Sequence, residues 1–475
     1  MLWGRTRGHR LALGAGGAAF VAIAVTVTVP TTTTGCTTHQ CDTSQATYSG
    51  GIWTDAYTYE TSDLDGDWIP FPGQVTLNVV FPPRGASPQR AVTSIESYVG
   101  TGVSPNGGAD FQGGELNVPG AGQLTEFFFI SSSGFFVANA SCAKYFARFV
   151  VHFAREGFTL FGGVGPGGDG GVGTLNDTWT WDGAVWFEAG SVTDAGPEIG
   201  PTARQGSAMV SVGGATYLIG GFDGVSSYLP DTWSWNGAVW TQTFLTPENP
   251  PAPPWPSARA DAATAVVNGG QQLVLFGGHG VDVTNNGAIG DLQDTWTWDG
   301  KTSDSWISVA PGAGAGPSAR SGAAAAALGS TMLLFGGSSN GTPLGDTWTW
   351  NGSTWMQLPV TGPAPRFHAA AATVPGGVLL FGGDSGSGAL GDTWLWDAKG
   401  GTWAQQKNAA PAPSPRSQAS VGVMNGVVVL FGGTDGTLQF SDTWTWSGTS
   451  TEGGWVLMDP AAPPTPRYGA AAAGP

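Results

Sequence analysis

The chain has 475 residues, with 78 glycines, 22 tryptophans and only 11% charged residues. This low-charge composition with short apolar runs is typical of an all-β protein, and almost no window carries helical periodicity. The formal net charge of −17 excludes nucleic acid as the main partner, because phosphate contacts need clustered lysine and arginine.

Residues 1–35 are predicted to be an export signal. Three arginines precede an apolar run from Leu11 to Val29, and small residues then lead to Cys36. The ending TTGC resembles a bacterial lipobox, in which the cysteine is lipidated, although Thr33 stands where leucine is usual. Plain secretion and an uncleaved anchor helix are the alternatives. We expect an exported protein at the outer membrane or cell surface, held to the membrane by a lipid on Cys36.

The three cysteines, Cys36, Cys41 and Cys142, fit this expectation. An odd number in an exported protein leaves one unpaired. If Cys36 carries the lipid, Cys41 and Cys142 can form a disulfide. No CxxC pair or second ligand pair completes a tetrahedral metal site, so no metal is predicted.

Residues 36–156 are predicted to form a small N-terminal β-sandwich. Strand-like runs such as QVTLNVVF, TEFFFI and YFARFVVHF are separated by Gly, Pro and Asn clusters. The segment SDLDGDW at residues 62–68 has alternate aspartates that could line a calcium loop. It lacks the glycine at position six and the distal glutamate of an EF-hand, so a solvated acidic turn is favoured.

Residues 157–475 repeat with a period of about 50 residues. Each of six repeats has an apolar run ending in Gly-Gly, then Asp-Thr-Trp, then another Trp, and each is associated with an arginine. Four strands account for one repeat. In DTWTW the two tryptophans alternate with threonine, so both rings project from one face and need a neighbouring sheet to cover them. The repeat is therefore predicted to build stacked sheets.

This pattern resembles the kelch repeat from Phe158 to the C-terminus. The resemblance implies an all-β fold in which a six-bladed kelch-type β-propeller follows the N-terminal β domain. The first repeat lacks its own Arg-led strand, and the chain ends in PRYGAAAAGP. The resemblance therefore implies that residues 466–475 complete the first blade and close the ring, which removes an open edge.

The sequence is also similar to galactose-oxidase-like proteins, which are copper enzymes with a Tyr–Cys cross-link and two histidine ligands in the propeller. This chain has no cysteine after Cys142, and its repeats contain only His279 and His368. We interpret His279 as a loop residue and His368 as part of a repeat strand. The copper activity is therefore not carried over, and no cofactor is predicted.

The long, variable connections of such blades lie on one face, where binding residues usually occur. Candidate ligand-binding residues on this face are an arginine ring and an exposed tryptophan: Arg204, Arg259, Arg320, Arg366, Arg416, Arg467 and Trp255. The alternatives are that each arginine pairs with an aspartate of an adjacent blade and that Trp255 packs on a neighbouring blade.

We therefore expect a noncatalytic protein that binds a protein or a polysaccharide at the cell envelope. No G-x-S-x-G, HExxH or P-loop motif is present. The alternative functions are a carbohydrate-active or galactose-oxidase-like enzyme and a purely structural surface protein.

Overall fold

The computed structural model describes residues 157–475, with gaps at 168–170, 190–199, 238–239, 245–254, 301–305, 310–315, 408–410 and 450, and individual strands between residues 45 and 153. The export signal, the lipobox Cys36, the Cys41–Cys142 disulfide and the acidic turn at 62–68 lie outside the described residues. The described chain contains strands and turns without a helix. The all-β class predicted from composition is thus confirmed.

The chain divides into two compact units, Met1–Arg155 with Asn236–Ala238, and Glu156–Trp235 with Val239–Pro475. The first unit has strands β1 Gln45–Tyr48, β2 Ile52–Trp53, β3 Thr58–Glu60, β4 Ile69–Phe71, β5 Thr76–Val80, β6 Val92–Gly100, β7 Phe111–Gly113, β8 Asn117–Val118, β9 Gly122–Gln123, β10 Thr125–Ser131, β11 Gly134–Asn139 and β12 Tyr145–Phe153. One sheet has the order β1-β5-β11-β10, and a second has β2-β3-β12-β6-β7 with β4 also paired to β12. The β1–β5 pair is parallel, whereas the pairs made by β12 are antiparallel.

The second unit begins with β13 Phe158–Phe161, β14 Val164–Pro166, β15 Val172–Thr174, β16 Thr178–Trp181, β17 Trp186–Glu188, β18 Ala208–Val212, β19 Ala215–Ile219, β20 Thr232–Trp235, β21 Trp240–Phe244, β22 Arg259–Ala260, β23 Ala263–Val267, β24 Gln272–Phe276, β25 His279–Asp282, β26 Ala288–Asp291, β27 Thr295–Trp298 and β28 Ile307–Val309. It continues with β29 Ala324–Leu328, β30 Thr331–Phe335, β31 Ser338–Ser339, β32 Thr342–Pro343, β33 Thr347–Trp350, β34 Trp355–Leu358, β35 Ala370–Val374, β36 Gly377–Phe381, β37 Thr393–Asp397, β38 Thr402–Gln406, β39 Ser420–Met424, β40 Val427–Phe431, β41 Thr443–Gly448, β42 Gly453–Met458 and β43 Ala471–Ala473.

Twenty-four of these strands form six four-stranded sheets, which we number along the chain. Sheet 1 has the order β17-β16-β13-β43, sheet 2 β18-β19-β20-β21, sheet 3 β23-β24-β27-β28, sheet 4 β29-β30-β33-β34, sheet 5 β35-β36-β37-β38 and sheet 6 β39-β40-β41-β42. Sheet 1 is the exception to sequential order, because its first position is taken by the C-terminal strand. There Ala471 pairs with Phe161 and Ala473 with Thr159.

The first strands of the six sheets contact one another in a closed series. β18 contacts β23, β23 contacts β29, β29 contacts β35, β35 contacts β39, β39 contacts β43, and β43 contacts β18. Alanine and glycine are frequent in these strands, as in AAAAL of β29 and AAATV of β35. Small side chains let the backbones approach closely, and Thr373 in β35 donates to the Ala327 carbonyl of β29 at 2.8 Å.

Each pair of neighbouring sheets encloses an apolar cluster built on the repeated tryptophans. Between sheets 2 and 3, Trp296, Trp298 and Trp306 pack against Val210 and Ile219 of sheet 2. The series ends with Trp181 and Trp186 of sheet 1 against Met424 and Phe431 of sheet 6. The repeated phrase therefore supplies the core between sheets, as its alternation predicted.

Side-chain hydrogen bonds cross the same boundaries. In five of the six repeats, the last tryptophan donates its indole N–H to the threonine of the Asp-Thr-Trp phrase in the neighbouring sheet. This bond measures 2.8 Å from Trp240 to Thr178, and 2.9 Å from both Trp355 to Thr295 and Trp186 to Thr443. The Thr443 bond joins sheet 1 to sheet 6. A buried indole N–H is thus satisfied by the neighbouring repeat.

The first strand of each repeat begins later than its arginine. In the second repeat we expect a strand over 204–212, but β18 starts at Ala208. The reason is the positive φ of Gly206, 64°, which breaks the extended conformation two residues after Arg204. The arginines therefore precede the first strands of their sheets, with Arg259 in the short strand β22, and His368, with φ 53°, likewise precedes β35 instead of lying within a strand.

Candidate functional site

Each repeat arginine forms a bidentate ion pair with the aspartate of an Asp-Thr-Trp phrase. Arg320 places Nη1 2.6 Å from Asp346 Oδ1 and Nη2 2.9 Å from Asp346 Oδ2. The same Oδ2 accepts the indole N–H of Trp348 at 2.7 Å. The arrangement recurs in all six sheets, with the pairs Arg204–Asp231, Arg259–Asp294, Arg320–Asp346, Arg366–Asp392, Arg416–Asp442 and Arg467–Asp177.

Each arginine pairs with an aspartate of its own sheet. The sequence alternative, in which each arginine pairs with an aspartate of an adjacent blade, is therefore wrong about which sheet supplies the aspartate. The guanidinium also donates to the first glycine of Gly-Gly in that sheet, as from Arg320 to the Gly336 carbonyl at 2.9 Å. The interaction therefore ties the connection before the first strand to the end of the second strand and the start of the third.

The six arginines are buried, with exposed fractions of 1–3%. In Arg320 the remaining two N–H groups donate to the Ser318 carbonyl and hydroxyl, so all five guanidinium donors are used. The same holds for five of the six arginines. The exception is Arg366, because Ala364 stands where the others have serine or threonine. Saturated guanidinium groups have no donor left for a ligand.

The ion pairs lower the pKa of four of the paired carboxyl groups. Burial alone would raise the pKa of Asp294, Asp346, Asp392 and Asp442, but hydrogen bonds and charge from the paired arginine outweigh it and hold each pKa below its usual value. These carboxylates stay ionised well into the acidic range.

Two residues after each arginine, the backbone adopts the left-handed conformation. These six residues, which we call the axial ring, are Gly206, Asp261, Gly322, His368, Gln418 and Gly469, with φ between 53° and 64°. Each donates its N–H to the carbonyl of the preceding member, and Gly206 donates to Gly469, with N–O distances of 2.7–3.0 Å. The ring is thus a closed circle of six backbone hydrogen bonds.

Three members of the axial ring carry polar side chains. His368 Nδ1 lies 3.1 Å from Gln418 Nε2, and His368 Nε2 lies 3.6 Å from Asp261 Oδ1. Burial lowers the pKa of His368, but the carboxylates of Asp261 and Asp384 more than compensate and raise it above its usual value. Non-glycine residues at positive φ are uncommon and often mark functional sites.

His279 is held by a different carboxylate. Its Nδ1 lies 2.8 Å from Asp291 Oδ1, and Asp291 Oδ2 accepts the backbone N–H of Asn340 at 2.7 Å. Burial would raise the pKa of Asp291, but the bonds from His279, Asn340 and Ser321 lower it. Because Asn340 belongs to the β31–β32 turn, Asp291 links the loops of sheets 3 and 4.

Trp255 is partly buried against the cluster between sheets 2 and 3, which favours the packing alternative. Other apolar side chains on this face are more exposed. Val225, Val283 and Ile289, in loops between second and third strands, are 86%, 58% and 55% exposed. These loops lie on the arginine side, because Phe222 pairs with Gln205 beside Arg204 and Gly280 pairs with Arg259. We call this side the loop face.

Sequence reasoning missed the axial ring. Its signal was the residue two positions after each arginine, which is glycine in three of the six repeats. Glycine at a fixed repeat position indicates a positive φ, and Asp261, His368 and Gln418 are the departures. Within the described residues, no group of three or more His, Cys, Asp or Glu side chains is placed to hold a metal ion. No helix in that part of the chain is long and apolar enough to cross a membrane.

Comparison with known families agrees with this geometry. A model described as the KLHDC2/KLHL20/DRC7 Kelch-repeats domain matches residues 239–433 and 293–474, and a model described as Kelch motif matches residues 203–242. No match was found among curated proteins. The matched residues include the Gly-Gly, Asp-Thr-Trp and arginine positions whose contacts repeat from sheet to sheet. This chain is therefore a member of the kelch-repeat family, and its repeats form a β-propeller.

Proposed function

We propose that this protein is a noncatalytic binding protein whose kelch propeller holds a protein partner on its loop face. Kelch repeats generally mediate protein binding. The observation that carries the proposal is the contrast between the two parts of each repeat. The Arg–Asp–Trp unit is buried and internally satisfied, whereas the loops beside it expose Val225, Val283 and Ile289.

The scaffold that we propose is a six-bladed propeller, with sheets 1 to 6 as blades and residues 466–475 completing the first blade. Its support is the closed series of contacts among the first strands and the pairing of β43 with β13. We propose the domain division 1–35, 36–156 and 157–475, with a β-sandwich in the middle segment. Such a scaffold keeps its loops in place while their sequences vary.

The protein would bind its partner at the cell envelope. We propose that the chain is exported and lipid-anchored through Cys36, on the strength of its lipobox-like TTGC ending. Mass spectrometry of the N-terminal peptide from cells checks this, with Cys36→Ala as the matched variant. A lipid-sized mass increase on Cys36 supports the anchor, and an unmodified cysteine at that position contradicts it.

The binding face is tested with matched polar substitutions. The purified chain is screened against envelope-peptide and glycan arrays, and hits are measured again with Val225→Gln and Ile289→Gln. Met356→Gln is the control, because Met356 is 59% exposed on β34, the outermost strand of sheet 4. We expect the loop variants to lose at least tenfold in affinity for a peptide hit, and the control to lose less than twofold.

The same screen separates the proposal from its alternatives. Equal losses in all three variants would contradict a loop-face site, and selective glycan hits would replace the protein partner by a polysaccharide. Peroxide release from sugar alcohols on the same preparation would indicate the oxidase-like alternative and place His279 and His368 under test.

A further inference from the structure

The loop face retains negative charge after its arginines are neutralised. In residues 157–475 every described arginine is paired with the aspartate of an Asp-Thr-Trp phrase. The described lysines, Lys399 and Lys407, flank β38, the outermost strand of sheet 5. Carboxylates without an arginine partner remain in or beside the loops: Asp223, Asp261, Asp282, Asp384 and Asp435. The charge of this face is therefore complementary to a cation.

Three side-chain oxygens lie close to the adjacent axial-ring glycines Gly206 and Gly469. A Cβ placed on Gly469 would lie 3.6 Å from Gln205 Oε1 and 3.7 Å from Gln418 Oε1. A Cβ placed on Gly206 would lie 2.6 Å from Asp261 Oδ1. Gly206 thus makes room for the Asp261 carboxylate, and Gly469 leaves free the space beside the two glutamine oxygens.

One of these oxygens lacks a hydrogen-bond donor. Gln418 Oε1 is buried and accepts no bond within the described structure, although its own Nε2 is placed against His368 Nδ1. A buried acceptor without a donor is destabilising. The missing group is an N–H or O–H donor, and the Asp261 carboxylate of the same ring favours one that is positively charged.

We propose that the axial ring binds the ammonium or guanidinium group of a basic side chain from the protein partner. Gln205, Gln418 and Asp261 supply the accepting oxygens close to Gly206 and Gly469. The inference rests on the proposed protein-binding function and names the chemistry of the partner. It replaces the arginine ring, which is the binding candidate from the sequence, by carboxylate and amide oxygens. A calcium ion fits less well, because one carboxylate and two amides fall short of its usual oxygen ligands.

His368 makes this site sensitive to pH. When Gln418 Nε2 donates to Nδ1, the imidazole is neutral and carries its proton on Nε2, facing Asp261. Protonation places a hydrogen on Nδ1, so the amide must turn and give Oε1 to the histidine. That turn withdraws the acceptor and adds a positive charge beside the ligand. The charged groups near His368 are Asp261 and Asp384. Because both effects of protonation weaken binding, affinity for the basic side chain rises with pH as His368 loses its proton.

The experiment uses fluorescence anisotropy with the purified chain. The probes are fluorescein-labelled hexalysine and hexaglutamate, both amidated at the C-terminus so that side chains are the charged groups compared. The variants are Asp261→Gly and Gln418→Gly, because glycine already stands at three ring positions and suits the positive φ of both residues. The control is Asp435→Asn, which removes one carboxylate of the loop face outside the ring.

We expect hexalysine to bind and hexaglutamate not to bind at pH 8. Each ring variant should weaken hexalysine binding about tenfold, and Asp435→Asn less than twofold. Affinity should fall between pH 8 and pH 5.5, and this fall should be lost in His368→Gly. Thermal denaturation of each variant verifies that the fold is intact.

Other results would overturn the inference. One is the absence of hexalysine binding, and another is an equal loss of hexalysine affinity in the ring variants and the control. The third is displacement of hexalysine by calcium while other cations leave the affinity for hexalysine unchanged. If Val225→Gln abolishes binding of a peptide hit but neither ring variant affects that binding, the inference fails and the proposed function survives. If the loop variants bind the hit normally, the proposed function itself fails.

Discussion

At the scale of single residues, each buried guanidinium is held by a fixed set of acceptors. The set comprises two carboxylate oxygens, one glycine carbonyl and a carbonyl two residues earlier, completed in five repeats by a hydroxyl. A buried charge is tolerated only when its hydrogen bonds are satisfied. The fifth repeat breaks this pattern, because Ala364 provides no hydroxyl to Arg366 Nη2.

Ala364→Ser should therefore stabilise the protein. The new hydroxyl would accept the remaining N–H of Arg366, as Ser318 does for Arg320 at 3.0 Å, and we expect a gain of about 0.5–1.5 kcal/mol. Urea unfolding measures it. Ser318→Ala is the matched control and should lose a similar amount, because it creates in the fourth repeat the arrangement found in the fifth. A loss in both variants would mean that the hydroxyl bond is not the governing interaction.

At the scale of elements, neighbouring sheets are joined by an apolar cluster and by an indole-to-threonine hydrogen bond. Trp455 of sheet 6 packs against Phe381 of sheet 5, with ring centroids 5.2 Å apart, and donates to Thr393 at 3.0 Å. The threonine is 1% exposed, so no water can replace it. The core is thus built between repeats, which is why one repeat cannot fold alone.

Thr393→Val should destabilise the boundary between sheets 5 and 6 by about 1–3 kcal/mol, because it leaves the Trp455 N–H buried without an acceptor. Thr393→Ser keeps the hydroxyl and should cost less. The difference between the two, measured by chemical unfolding, isolates the hydrogen bond from the lost methyl packing. A cost in Thr393→Ser without one in Thr393→Val would assign the effect to packing alone.

At the scale of the whole molecule, strand β43 links the last repeat to the first. It pairs with β13, and Ala471 and Ala473 pack into the cluster that Trp233 and Trp235 of sheet 2 complete. Without it, β13 would present an unpaired edge to solvent, a common cause of aggregation.

Deletion of residues 470–475 should therefore lower the thermal midpoint strongly and promote aggregation. Differential scanning calorimetry and light scattering measure these effects. The control is the deletion of Pro475 alone, which lies beyond β43 and should change little. An unchanged midpoint after the longer deletion would contradict a role for this strand in closing the sheets.

The charge pattern also determines how the molecule responds to acid. Asp294, Asp346, Asp392 and Asp442 have pKa values below the usual range in the folded state. The unfolded chain therefore binds more protons in acid, and stability falls as the pH drops below about 4. We expect the thermal midpoint, followed by circular dichroism, to fall steeply between about pH 4 and pH 2. A midpoint constant over that interval would contradict the ion-pair assignment.

Much of the fold could be predicted from the sequence, because its signals are local. Alternating tryptophans indicate one face of a strand, and Gly-Gly after an apolar run indicates a positive φ; Gly277 and Gly278 have φ of 63° and 101°. Periodicity then predicts stacking, because a lone sheet cannot cover its own tryptophans. These properties need only a few neighbouring residues to be read.

Only the tertiary structure decided which side chains meet. In the second to sixth sheets, the repeat arginine pairs with an aspartate that lies 26–35 residues later in the same sheet. The spacing in the sequence does not decide between this aspartate and the one in a neighbouring sheet. Gln418 and His368 are 50 residues apart, yet they touch because the axial ring places one residue from each repeat side by side. The sequence by itself determined the repeating unit. The polar cluster of Asp261, His368 and Gln418 was decided only by the tertiary structure, because contacts between repeats depend on how the sheets are packed.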